Sequence, residues 1–341
     1  MMYRSKAPLR IGFAGGGTDV SPYSDQYGGA ILNATIQLYA YASIEPTNDG
    51  KVTFIAADHG KTLEFESTEE LPTGGGLDLQ VGAYNRIVKQ FSKKPLSFKM
   101  TTFIDAPSGS GLGTSSTLMV AILGAYSEWL SLPLGEYDMA HLAYEIERID
   151  LEMVGGKQDQ YSATFGGFNF IEFYADDKVI VNPLRIRDIY ANELAHNLLL
   201  FYTETSRESG HIISKQRENV TANQSAAVEA MHKLKEQSVM MKEALLKGEI
   251  DRMGDILQFG WENKKRMAEG ISNPMIDAFY DAAISAGATG GKISGAGGGG
   301  FMIFYCPNNT RHAVIKSLKE MGGKIQPFQF SKEGLLTWKA K

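Results

Sequence analysis

Little in this chain can carry redox or structural-metal chemistry. Cysteine occurs once in 341 residues, at Cys306. An intramolecular disulfide is therefore excluded, and nothing points to an oxidising compartment. Its setting, Phe301-Met302-Ile303-Phe304-Tyr305-Cys306, reads as buried core. The six histidines are scattered, with no HExxH and no Cys/His spacing of a zinc site. No run approaches the ~18 apolar residues that span a membrane. The N-terminal Met1-Met2-Tyr3-Arg4-Ser5-Lys6 lacks the apolar stretch of a signal peptide. A large excess of one charge is missing too: 34 Lys+Arg against 39 Asp+Glu leave a net charge of −5. That balance suits neither a general nucleic-acid binder nor a protein of anionic membranes. A cytoplasmic protein with small-molecule partners is expected, as a monomer or a homodimer.

What the chain has is length for two domains, 43% apolar residues and 37 glycines. The glycines cluster at 15–17, 74–76, 109–113 and 295–300. Such clusters mark backbone that other residues resist, or close approach of a ligand to the main chain. The patterning predicts strands over 9–14, 31–44, 52–55, 62–65, 97–104, 168–173 and 197–203, with helices over 79–92, 114–131 and 136–153. Two long helices are expected at 207–247 and 250–268. The tail reads helix, glycine loop, strand 301–305, helix 311–321 and strand 324–330. A domain boundary falls near 190, giving units 1–190 and 191–341.

The strongest local signal is Pro107-Ser108-Gly109-Ser110-Gly111-Leu112-Gly113-Thr114-Ser115-Ser116 ahead of an apolar helix. Glycines let main-chain N–H groups turn inward around a phosphate, and the helix start aims its free N–H groups at the same point. Three hydroxyls in the first turn can donate to phosphate oxygens or hold Mg²⁺. A plain Ser/Gly turn with a capping hydroxyl is the bland alternative. It is not a Walker A loop, since no lysine follows the last glycine. The formal GxGxxG at Gly295–Gly300 is not a dinucleotide loop either, because the segment after it is strand-like. Gly15-Gly16-Gly17-Thr18-Asp19 follows the first strand. Its Thr18 and Asp19 can bind hydroxyl-rich ligands or merely close a turn.

In this order the three clusters resemble the motifs of the GHMP kinases. The first motif, a basic residue followed by a small-residue loop, is similar to Pro8-Leu9-Arg10 through Asp19. The second matches Pro107 to Ser116, with Thr114 in place of a serine. The third matches Lys292-Ile293-Ser294-Gly295-Ala296-Gly297-Gly298-Gly299-Gly300. The resemblance spans positions 8 to 300. It implies an N-terminal mixed-sheet α/β domain and a C-terminal ferredoxin-like α+β domain, with ATP and substrate in the cleft between them. Ala7–Asp19 and Val154-Gly155-Gly156-Lys157-Gln158-Asp159-Gln160 most resemble the bacterial branch acting on D-glycero-D-manno-heptose 7-phosphate at its anomeric carbon. L-fucokinases and galactokinases are the rival branches. A non-catalytic sugar- or ATP-sensing protein of the same fold is the rival of another class.

The resemblance also implies roles. The loop 107–116 would cradle ATP phosphates, with Ser116 facing Mg²⁺. A helix-borne carboxylate would join it. The family's spacing favours Glu147, whereas helical periodicity alone leaves Glu145 and Glu147 equally placed beside Ile146. Asp159 would accept the proton of the attacking hydroxyl, and Arg10 would supply fixed positive charge beside it. Gly17, Thr18, Asp19, Gly297 and Gly298 are candidate substrate contacts. Lys157, Arg207 and Lys215 are candidate cations for a substrate phosphate.

Overall fold

The computed structural model describes residues 1–204 and 209–341, so Arg207 lies outside the described residues. In chain order the first half comprises β1 (Met2–Ala14), α1 (Tyr23–Tyr27), β2 (Gly29–Pro46), β3 (Lys51–Ala56), β4 (Lys61–Glu66), α2 (Asp78–Ile87), β5 (Phe98–Ile104), α3 (Thr114–Leu130), α4 (Glu136–Glu145), α5 (Gln158–Phe165), β6 (Phe168–Phe173) and β7 (Val179–Pro183). The second half comprises α6 (Asp188–Asn197), β8 (Leu198–Tyr202), α7 (Ser209–Thr221), α8 (Ser225–Lys247), α9 (Met253–Lys264), α10 (Pro274–Ser285), β9 (Gly290–Ile293), β10 (Phe301–Tyr305), α11 (Arg311–Glu320), β11 (Lys324–Ile325) and β12 (Leu336–Ala340).

The first sheet runs β12-β1-β2-β5-β3-β4, with β6 on the other end of β2 and β7 beside β6. Its β3–β5 pair is parallel and its other pairs antiparallel, so the sheet is mixed as expected. Residues 7–14 of β1 are buried throughout, the pattern of a central strand covered on both faces. One face packs under α2, α3 and α4 through Val81, Tyr84, Met119, Ile122, Leu142 and their neighbours. The other face presents Leu9, Ile11 and Phe13 to the second half of the chain.

That half holds an antiparallel sheet of order β11-β8-β10-β9, the ferredoxin-like order of a β-α-β-β-α-β chain. Period-two alternation splits its side chains between two cores. Leu198, Leu200, Phe301 and Ile303 pack with Leu9, Ile11 and Phe13. Leu199, Phe201, Met302 and Phe304 pack with Ile276 and Phe279 of α10 and Val314 and Leu318 of α11. Cys306 joins this second core, and burial pushes its thiol up to about 12.

Three expectations need correction. The helix expected over 207–247 breaks between α7 and α8, where Asn223 takes a left-handed φ of 49°, a conformation asparagine tolerates. The strand expected over 324–330 ends at Ile325, and Phe330 makes only an isolated bridge to Ile36. Beyond it, β12 returns past the boundary at 190 and pairs with β1, Met2 opposite Ala340 and Lys6 opposite Leu336.

Candidate active site

A cavity of about 500 Å³ opens where the glycine clusters meet, a size suited to a small-molecule ligand. β1 delivers the first side chain. Its pairing with β2 slips between Pro8 and Arg10 and again between Gly12 and Ala14. Pro8 has no N–H for the ladder, and a bulge re-aims the side chain that follows. Leu9 is left without a partner in the register, and Arg10, opposite Thr35, turns its N–H to Leu112 O at 3.1 Å. Its guanidinium, almost fully buried, donates from Nε to Asp159 Oδ1 at 2.6 Å and from Nη1 to Gly111 O at 2.6 Å.

The loop before α3 alternates in space as it does in sequence. Ser108, Gly109, Gly111 and Gly113 line the cavity, and Ser110 and Leu112 are buried behind them. Pro107 closes the turn by accepting from Ser110 N–H at 3.2 Å. Gly109, Gly111 and Gly113 all take positive φ, which is where glycine is needed. Thr114, Ser115 and Ser116, the first turn of α3, also face the cavity. Two close approaches fix the loop. A Cβ on Gly111 would overlap Ser294 O, so the second and third clusters pack backbone to backbone. A Cβ on Gly113 would stand 3.0 Å from Asp159 Cγ. The loop and the carboxylate therefore face each other at van der Waals distance.

Asp159 sits in the first turn of α5. Asp19 reaches the same helix start, its Oδ2 accepting from Lys157 N at 2.9 Å and Gln158 N at 3.1 Å. Burial is the main cause that raises the Asp19 pKa, and the negative charge of Asp159 adds to it. Gly156 leaves the room: a Cβ there would overlap the Asp19 carboxylate.

Glu147 resolves the ambiguity with Glu145. The helix widens into a π-turn over Ile146–Asp150, and such turns cluster at functional sites. Glu147 is fully buried, accepts from Ser115 Oγ at 3.0 Å and Gln160 Nε2 at 2.6 Å, and lines the cavity. Gln160 Nε2 also donates to Ser116 Oγ at 3.1 Å. Glu145 turns the other way, 2.9 Å from Arg86.

The sequence reading missed Lys264 and Lys292, both buried on the cavity wall. Lys264 Nζ donates to Gly295 O, and Lys292 Nζ donates to Gly12 O at 2.6 Å. Burial is the chief cause that pushes Lys264 down to about 8, with Arg10 adding to it. Burial, then Lys264 and Arg10, hold Lys292 well below the ordinary range. Lys292 lies in the quoted third motif, but nothing local marks Lys264. It ends α9 in a polar stretch that reads as solvated.

Several expected substrate contacts sit elsewhere. The Thr18 hydroxyl is buried among main-chain groups, donating to Gly15 O and Ala30 O and accepting from Ala30 N. It braces the loop and does not line the cavity. The Lys157 ammonium pairs with Asp177 at 2.6 Å, outside the cavity. Only its main-chain N–H serves the site. Gly17 and Gly297 line the cavity, whereas Gly298 turns away, its N–H donating to Ile271 O at 2.9 Å. Lys215 pairs with Glu218 on the surface at 3.2 Å.

Comparison with known proteins agrees with this geometry. The profile "GHMP kinases N terminal domain" matches residues 78–167, and "GHMP kinases C terminal" matches 241–324. A D-glycero-alpha-D-manno-heptose 7-phosphate kinase of Campylobacter jejuni is 48% identical over 98% of both chains. The L-fucokinase/L-fucose-1-P guanylyltransferase of Bacteroides fragilis is 27% identical over 92% of this chain and 35% of its own length. The crystal structure of a D-glycero-D-manno-heptose 1-phosphate kinase from Bacteriodes thetaiotaomicron superposes with a TM-score of 0.86 at 46% identity, over 99% of each chain. Two matching domain profiles, a relative of nearly half identical residues and three glycine clusters converging on one arginine–aspartate pair place this chain in the GHMP kinases.

Proposed function

We propose that the chain transfers the γ-phosphoryl group of ATP to the anomeric (C1) hydroxyl of a sugar phosphate, D-glycero-D-manno-heptose 7-phosphate, giving the 1,7-bisphosphate. The approach of Gly113 to Asp159 carries the reading, because it puts a phosphate-binding loop opposite a partly exposed carboxylate with Arg10 beside both. The anomeric oxygen attacks the γ-phosphorus and its proton passes to Asp159. One P–O bond forms while the bond to the β–γ bridging oxygen breaks, and ADP leaves with that electron pair. The protein supplies position and positive charge. An anomeric hydroxyl is more acidic than an ordinary alcohol, which suits a carboxylate base. Asp19, Gly17 and Gly297 line the cavity and are assigned to the sugar.

Mg²⁺ fits the donor set. The Glu147 carboxylate and the Ser116 hydroxyl are hard oxygens at the loop's helix start. They would hold it, and the ion would neutralise phosphate charge. The relative named for heptose 7-phosphate supports the substrate, and a step that consumes ATP suits a cytoplasmic enzyme. A second reading, an L-fucokinase-like sugar 1-kinase, draws on the Bacteroides fragilis relative. The test is ADP release with Mg²⁺ over heptose 7-phosphate, heptose 1-phosphate, L-fucose and galactose, with ³¹P NMR of the product. Turnover of the 7-phosphate, with a new anomeric phosphate signal, supports the reading. Preference for L-fucose moves it to the second, and no ADP from any sugar ends both.

A further inference from the structure

Two lysines in this cavity are held in a way that a structural role does not explain. Lys264 and Lys292 are each more than nine-tenths buried, at 3% and 4% exposure. Among the described residues each amine donates to one main-chain carbonyl, Gly295 O and Gly12 O. An ammonium has three N–H donors, so both keep donors to spare at the cavity wall. Among the described residues neither forms an ion pair with a carboxylate. Asp19 is near enough to favour the charge on Lys264 but not paired with it. Buried cations without partners are costly, and such a cost is retained where a ligand completes the site.

Their anchors tell which ligand. Gly295 packs directly on Gly111 of the phosphate loop. Gly111 O in turn accepts from Arg10 Nη1 and from Ser294 Oγ. Gly12 follows Arg10 by two positions on the bulged stretch of β1. Both residues line the cavity with Arg10 and Asp159, and both repel Arg10. A group bound between the loop and Asp159 would share this cavity with all three basic side chains.

We infer that Lys264 and Lys292 join Arg10 in holding the equatorial oxygens of the phosphoryl group while it passes from ATP to the acceptor. The inference rests on the kinase reading above. As the bridging P–O bond lengthens and the new one forms, negative charge spreads over those oxygens, and preorganised donors act most strongly there. The pair is then a catalytic addition to Arg10 and serves no part in holding ADP.

The variants Lys264→Met and Lys292→Met test this in the full-length enzyme. Each is expected to lower kcat about 100-fold while changing the KM for ATP and for heptose 7-phosphate less than threefold. Removing a buried charge should leave the melting temperature unchanged or higher. A vanadate arm needs no turnover. ADP, vanadate and heptose 7-phosphate together should raise the wild-type melting temperature above ADP with the sugar alone, and the increment should vanish in each variant. The charged groups acting on Lys264 are Arg10 on β1, Asp19 and Lys292 on β9, and burial brings Lys264 down to about 8. Loss of its proton should produce an alkaline limb in kcat/KM that Lys264→Met lacks. A raised KM for the sugar phosphate with kcat intact would assign the lysines to the acceptor's standing phosphate and overturn the inference. A lower melting temperature with normal kcat would make them structural and overturn it as well. If wild type turns over no sugar while the vanadate increment survives, the substrate assignment fails and the lysines' role stands.

Discussion

The residue on which the proposed chemistry turns is Asp159, held by Arg10 and faced by Gly113. Asp159→Asn keeps the shape and removes the proton acceptor. It should lower kcat by 10²–10⁴-fold and leave ATP affinity within about threefold, measured by ADP release and calorimetry. Equal turnover would show that another base acts. Gly113→Ala makes a different demand. At φ 77° an alanine is strained, and its methyl would press on the carboxylate. It should cost about 1–2 kcal/mol of stability and most of the activity, whereas Gly74→Ala, with open space around it, should keep activity. Lys264 gives a signed pH effect. Its folded pKa is near 8 against 10.5 for the free side chain. Between those values the unfolded chain holds a proton that the folded chain lacks, so stability rises with pH. The shift corresponds to roughly 3 kcal/mol when complete. Above pH 9 ionisation of the unfolded Cys306 thiol opposes it. Urea unfolding of the ligand-free protein should therefore show stability rising between pH 8 and 9, with a flatter profile in Lys264→Met.

At the scale of elements, what the sequence showed and what it hid have one physical basis. Period and punctuation placed the inner half of β1, α3 and β10, because each is a continuous apolar pattern bounded by glycine or a hydroxyl. The loop at 109–113 was legible for the same reason. Glu147 was not decided by period, because the π-turn at Ile146–Asp150 adds a residue to one turn. One residue is ~100° of helix, enough to turn Glu147 inward and leave Glu145 with Arg86. Thr18 looked like a ligand contact and is spent on main-chain bonds, which no single-residue signal reveals. Lys264 and Lys292 were hidden by being lysines, since burial without a partner is invisible before the chain folds. Glu147→Gln keeps the size and removes the charge. It should raise the Mg²⁺ concentration for half-maximal turnover at least tenfold while the fold survives, and an unchanged Mg²⁺ curve would reject the metal assignment.

For the whole molecule, the first and last strands form one edge. β12 pairs with the outer half of β1, and the inner half of β1 carries Arg10 between the two sheets' shared core. The cavity is thus built from both halves of the chain, with the loop and Asp159 from one and Lys264, Lys292 and Gly297 from the other. Removing residues 336–341 should expose the β1 edge and lower stability by about 2 kcal/mol or more, read as the urea midpoint, and increase aggregation. Unchanged unfolding would show that β12 is an appendage. The proposed mechanism depends on where the reacting atoms meet. A crystal structure with a non-hydrolysable ATP analogue and heptose 7-phosphate tests it most directly. Terminal phosphate oxygens should sit on the main-chain N–H groups of 109–116, with the sugar's C1 oxygen about 3 Å from Asp159. A nucleotide bound elsewhere, or a sugar whose C1 oxygen points away from Asp159, would contradict it.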